Sequence, residues 1–180
     1  MTEIDFRVST SMDRSLRLWS KNIRQEDERT TAYINKFRAL IENLTDKTPT
    51  DISVVVEEAR DLLSNISDAL YELDNQVAEV DGCEIPFESS GKVVEYIRQM
   101  LDSLHQLEAL SEHYFRLKSK SINFNVPLDE ELKDKEGEFL RVLSDFHNNH
   151  IVLSSYITEL LAEFDKFVAQ SEELRQKRIL

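Results

Sequence analysis

From Phe139 to Leu174 the chain sets down a seam residue at alternating steps of four and three. The row is Phe139, Leu143, Phe146, His150, Leu153, Ile157, Leu160, Phe164, Phe167, Ser171 and Leu174. That is five heptads without a slip. An α-helix packed lengthwise on other helices keeps such a row on one face. Leu132 and Glu136 extend the register toward the start of the segment. A helix over Leu128–Arg175 is about 70 Å long at 1.5 Å per residue. A compact domain of 180 residues has a radius of gyration of only about 16 Å. The row therefore predicts an elongated bundle rather than a sphere. Leu140, Ile151, Leu161 and Val168 widen the stripe beyond a two-stranded seam. The large rings at Phe139, Phe146, Phe164 and Phe167 suit the wider spaces among three or four helices.

The same period runs upstream. A first segment, about Met12 to Leu44, places Leu16, Trp19 and Ile23 on one face, then Tyr33, Phe37, Leu40, Ile41 and Leu44. Between them Arg24 to Thr31 is wholly polar, which predicts a break or kink there, or else a solvent-exposed bridge. A second segment, Asp51 to Asp81, carries Ile52, Val55, Ala59, Leu62, Ile66, Leu70, Leu73, Val77 and Val80, with one stutter in the spacing. A third, about Gly91 to Ser119, carries Val94, Ile97, Leu101, Leu104, Leu107, Leu110, Tyr114 and Leu117.

The punctuation agrees with these limits. Pro49 closes the first segment, and Thr50 or Asp51 can cap the second through a side-chain oxygen. Gly82 and Pro86 bend the next connector, with Ser89 or Ser90 as the following cap. The run KSINFNVPLDEE alternates Ile122, Phe124 and Val126 with polar residues, which predicts an extended crossing before a cap at Asp129. With only 3 Gly and 3 Pro there is little material for tight turns, so a strand-rich fold is disfavoured. The expected fold is all-α: an elongated bundle, or coiled coil, of long antiparallel helices. Residues 1–48 form an N-terminal helical segment with a break at 24–31. Residues 49–180 form an elongated three-helix bundle with connectors at 81–90 and 119–128.

Charge and motifs exclude several kinds of chemistry. A net charge of −13 repels nucleic acid unless cations are segregated on one face. The only basic cluster is Arg175, Lys177 and Arg178 at the last turn, which fits the negative end of a helix dipole better than a binding patch. Cys83 is the only cysteine, so no internal disulfide can form. Met1 to Phe6 lacks the basic and apolar regions of a secretory signal, and no apolar run approaches the roughly 18 residues of a membrane span. The expectation is a soluble cytosolic or nuclear protein.

His147 and His150 lie three apart, but a di-iron bundle needs a Glu-x-x-His pair on each of two helices. Here Ser144 and His147 stand three residues before them, and His105 has Asp102 at that offset with no second copy. A polar seam residue that fixes register fits better. Ser90-Gly91-Lys92 has Pro86 and Val93 where a phosphate loop needs Gly and Ser or Thr. The carboxylates alternate with Lys and Arg as solvated faces do. No catalytic, cofactor-binding or metal-binding residue is expected, and the chain is expected not to be an enzyme.

With these turns and heptads in place, the layout resembles the family of the smallest shoulder subunit of dynactin, the dynein cofactor. The stretches that carry the likeness are Ile85-Pro86-Phe87-Glu88-Ser89-Ser90-Gly91-Lys92 and Ser121-Ile122-Asn123-Phe124-Asn125-Val126-Pro127. A Leu-rich helix with Leu104, Leu107 and Glu108 separates them, and a long helix, Leu128 to Arg175, follows. The likeness runs from about Tyr33 onward, and more loosely around Leu18 and Trp19. The family has a Gly-rich break after its Trp where this chain has RQEDERTT. The resemblance implies a structural role in the cytoplasm, associated with the cytoskeleton. It implies coiled-coil partners, dynamitin and the large Glued-type subunit, and a link between the microtubule-binding arm and the actin-related filament. It transfers no catalytic or ligand residue.

The residues expected to meet partners are the seam positions Phe139, Leu143, Phe146, His150, Leu153, Ile157, Leu160, Phe164, Phe167 and Leu174, together with Trp19. Trp19 reads either as a core anchor or as an interface hot spot. On this expectation Phe146→Asp or Ile157→Asp releases the chain from its complex. A helical subunit of a kinetochore or vesicle-tethering assembly would carry the same heptads.

Overall fold

The computed structural model describes residues 3–46, 51–83, 85, 87–124 and 130–179, with side chains from Met12 onward except at 46 and 178–179. It contains four α-helices: α1 (Glu3–Asp46), α2 (Ile52–Asp81), α3 (Ser90–Asn123) and α4 (Glu130–Ile179). Each helix packs its backbone on the two beside it: α1 on α2 and α4, and α3 on α2 and α4, while among the described residues the diagonal pairs meet through core side chains rather than by close backbone approach. Ion pairs fix the directions. Arg60 and Arg98 reach Glu112 and Asp74, so α2 and α3 are antiparallel. Arg17 reaches Glu172 and Arg175 reaches Asp13, so α1 and α4 are antiparallel. The topology is up-down-up-down around one core to which all four helices contribute.

Two expectations are corrected. The polar stretch 24–31 is not a break, because α1 runs through it as one helix of 44 residues. Its seam takes Ile23, Glu26, Thr30 and Ile34 inward, with Glu26 8% exposed and Thr30 fully covered. The Thr30 hydroxyl is satisfied locally by donating to the Glu26 carbonyl at 2.7 Å. α1 also packs along α2 and α4, so the molecule is a four-helix bundle, not a separate N-terminal segment beside a three-helix one.

The seams hold a stricter period than the apolar residues suggest. In α2 Ile52, Val56, Ala59, Leu63, Ile66, Leu70, Leu73, Val77 and Val80 form a buried row without a stutter, and Leu62 and Ala69 are buried beside it. In α3 Val93, Ile97, Met100, Leu104, Leu107, Ser111, Tyr114 and Lys118 form such a row, with Ser90, Val94, Leu101 and Phe115 also buried, while Leu110 and Leu117 sit at the edge. A straight pair of helices keeps facing positions at alternating threes and fours, so geometry admits Ser111 and Lys118 ahead of two leucines.

The helix ends use caps from two sources. Asp51 accepts from the Ser53 amide at 3.1 Å and starts α2. The start of α3 is capped from a distance: the Glu88 and Ser89 amides donate to the Glu163 carboxylate of α4 at 3.1 and 3.2 Å. Ser90 Oγ donates back to Asp81 Oδ1 at 2.9 Å and lies 3.0 Å from the Phe87 carbonyl, fastening the connector to both helices. α3 continues through Ile122 to Asn123, so this part of the second connector is helical where an extended crossing was expected. Phe124 lies 74% exposed at its end. The expected cap Asp129 and the turn residues Pro49, Thr50, Pro86 and Pro127 lie outside the described residues.

Candidate functional site

α1 and α4 are the longest helices, with 44 and 50 residues. The connector between α2 and α3 closes over Phe164 and Phe167, with Phe87 at ring-centroid distances of 4.9 and 6.3 Å. Beyond that level α1 and α4 continue as an antiparallel pair, joined by Arg17–Glu172 and by the pairing of Arg175 with Asp13.

The seam residues expected to meet partners lie inside this bundle. Phe139, Leu143, Phe146, His150, Leu153, Ile157, Leu160 and Phe164 are buried by the chain's own helices. Phe139 anchors a ring cluster with Phe37, Tyr114 and Phe115 at 6.3, 5.3 and 6.2 Å. Phe167 is half-buried against the core and Leu174 is half-buried near the end of α4. Trp19 is half-buried, and its Nε1 donates to Glu79 of α2 at 3.1 Å. That geometry is the core-anchor arrangement, closed by a polar tip. An aspartate at Phe146 or Ile157 thus strikes the fold before it can report on a partner.

Polar residues enter the seams at three levels. Near one end Asp13 and Arg175 pair beside buried Ser171. Midway His150 Nε2 lies 3.4 Å from Asp27 Oδ1, which also accepts the Ser154 hydroxyl at 3.1 Å. One turn away Arg38 donates to His147 Nε2 at 3.1 Å. Burial first, then the Arg38 charge and His150, hold the His147 imidazole below its ordinary range, which favours the neutral ring. Near the far end Tyr114 donates to Glu136 at 2.8 Å, and Lys118 lies 3.9 Å from the same carboxylate. Burial, then Glu136, push the Tyr114 phenol well above its usual range. Each polar level matches one helix pair at one height, so a slip of one heptad strands a buried polar group.

Among the described residues no three His, Cys, Asp or Glu side chains gather as a metal site would require. Cys83 is half-buried in the first connector, its thiol donating to the Ile85 carbonyl at 3.3 Å. No helix among the described residues is long and apolar enough to cross a membrane.

Of the expected basic cluster, Arg175 pairs with Asp13 and Lys177 with Glu173 at 3.5 Å, while the Arg178 side chain lies outside the described residues. A different one emerges on α1, where Arg14, Arg17, Lys21 and Arg24 recur at steps of three, four and three and are all exposed. The spacing was available in the sequence, masked by the acidic average of the whole chain. Arg17, Lys21 and Arg24 stand with Ser20, Gln25 and Glu28 along the α1 side of a groove at the α1–α4 seam, facing Asp165 and Glu172 of α4.

The class this geometry defines is an up-down-up-down four-helix bundle with heptad seams and polar register layers. Family models, curated proteins and solved structures contain no match to the chain.

Proposed function

We propose that the chain is a non-catalytic structural subunit of the dynactin shoulder, supporting dynein-driven transport along microtubules and spindle functions through helix-to-helix contacts. The observation that carries this reading is the placement of the two motif-bearing connectors. The Ile85 stretch turns α2 into α3, and the Ser121 stretch lies at the end of α3, before the long α4. The family it resembles has a turn at the first of these places and a long helix after the second. The elongated form supports the reading as well: α4, with 50 residues, is about 75 Å long. So does the use made of charge. Arg60 and Glu112 form two hydrogen bonds across the α2–α3 seam at 2.6 and 2.8 Å, an exposed pair that aligns helices.

In this role the chain works in the cytoplasm, at the cytoskeleton, beside dynamitin and the large Glued-type subunit. The alternative is the same structural task in another helical assembly, such as a kinetochore or vesicle-tethering complex. Affinity purification of the tagged chain from its own cells, with identification of the partners by mass, separates the two. Dynamitin and the Glued-type subunit at comparable abundance support the dynactin reading. Their absence under conditions that keep dynactin intact rejects it.

A further inference from the structure

α2 is the acidic side of the bundle. From Glu57 to Asp81 its exposed ionic side chains are carboxylates except Arg60, which is taken by Glu112 of α3. Where this side meets α1 a groove of about 440 Å³ opens, walled by Glu26, Arg29 and Tyr33 of α1 and by Asp68, Ala69 and Glu72 of α2. Its one guanidinium is already paired, because Arg29 donates to Glu26 Oε1 at 3.2 Å. The Glu26 side chain is only 10% exposed, and its second oxygen, Oε2, is closed off from water with no hydrogen-bond partner among the described residues. An ionised oxygen held so is unfavourable until a donor reaches it. Asp68 has no partner among the described residues either, and Glu72 accepts from Gln76 through Oε1 alone, at 3.2 Å.

We infer that this groove is a socket for a lysine side chain carried on a basic segment of another polypeptide. Charge selects that occupant at long range and at contact. The net charge of −13 and the acidic α2 draw a cationic segment to this side and oppose both an acidic segment and a second copy. In the groove itself the carboxylates of Glu26, Asp68 and Glu72 outnumber the one guanidinium, which Glu26 neutralises. The geometry favours lysine over arginine. A guanidinium fork is matched by two acceptors side by side, and Glu26 has one oxygen open. An ammonium donates each of its protons to a separate acceptor, and here the acceptors are spread: Asp68 and Glu72 stand about 6 Å apart along α2. Among the described residues no three acidic or histidine side chains gather closely enough for a metal ion. Ala69 and the Tyr33 ring offer a surface for the aliphatic stem. Arg29, half exposed on a flexible stem, is the part that moves to admit the ammonium to Oε2. The inference deepens the structural-subunit reading by naming the chemistry of one contact, and rests on it only in needing a partner chain.

The test uses the purified full chain and fluorescein-labelled peptides of one Gly-Ser-Ala sequence, with lysine, arginine or glutamate at the same places. Fluorescence anisotropy is expected to show the lysine peptide binding about threefold tighter than the arginine peptide, and more weakly as salt rises. The glutamate peptide is expected not to bind. Glu26→Gln, which keeps the shape of the side chain, and Asp68→Asn, at an exposed position, are each expected to weaken the lysine peptide by about fivefold and to remove its advantage over arginine. Glu58→Gln, on the same helix but outside the groove, is expected to change the affinity by less than about twofold. Unchanged helical signal and melting curves confirm that the variants fold, and where Glu26→Gln melts early Asp68→Asn carries the test. No binding of the lysine peptide, equal binding of the arginine peptide, or variants at Glu26 and Asp68 that bind like the wild type overturns the inference. Glu58→Gln as damaging as Asp68→Asn assigns the attraction to the acidic surface at large, and overturns it too. A failed dynactin purification beside a lysine-selective groove rejects the assembly and leaves the socket standing.

Discussion

Phe139 touches rings from α1 and α3 while itself belonging to α4, so one side chain holds three helices together. Its truncation leaves a void that no single neighbour can fill. Phe139→Ala is expected to cost about 3–5 kcal/mol, measured by urea unfolding followed by circular dichroism. His147 makes a second residue-scale prediction. Its folded pKa lies below the ordinary 6.5, so the unfolded chain binds the proton more readily. This group's contribution is complete above the unfolded pKa and is lost as pH falls through the lower folded value. Stability is therefore expected to decline as pH drops below about 6.5, and His147→Gln to flatten that part of the curve. A His147 variant as acid-sensitive as the wild type would show that the ring is not neutral in the fold.

At the scale of the helix, ends and registers carry the information. Glu163 holds the turn that enters α3 by accepting from the Glu88 and Ser89 amides, while Ser89 makes no side-chain capping bond. Glu163→Ala is expected to lower stability by about 1 kcal/mol. Hydrogen exchange at residues 88–93 should quicken with it, whereas an effect spread evenly over the bundle would argue against a cap. The seam of α4 was readable in the sequence residue by residue, because its apolar row is already a strict heptad. The partners it would meet were not readable, since a row of Phe and Leu looks the same whether its own chain or another covers it. In α1 the polar run hid the helix: Glu26 and Thr30 fill seam positions that hydrophobicity alone assigns to a break. In α3 Leu110 and Leu117 drew the reading off register, and Ser111 and Lys118 hold the buried positions. Side-chain chemistry proposed one row and the geometry of packed rods selected its neighbour. The α1 cations were missed for another reason: Arg14, Arg17, Lys21 and Arg24 are spaced like a seam, but their place beside α4 depends on how the helices pack.

For the molecule as a whole, the core closes without help. The large rings of α4, counted among the seam positions expected to meet partners, pack instead within the chain's own core, against rings of α1, α3 and the connector between α2 and α3. The isolated chain is expected to unfold in one cooperative transition, with Trp19 fluorescence and far-ultraviolet circular dichroism coinciding. A helical but non-cooperative melt, or Trp19 fluorescence changing ahead of the helices, would mean that α1 docks only in company.

Because the buried positions repeat every seven residues, the molecule behaves as a ruler with a fixed graduation. Removing one matched heptad from every helix shortens it by about 10 Å and leaves the remaining contacts in phase. Removing one residue from a single helix turns everything beyond it by about 100° and empties the seam. The distance this protein spans is thus adjustable in steps of one size, and nearly immutable between them.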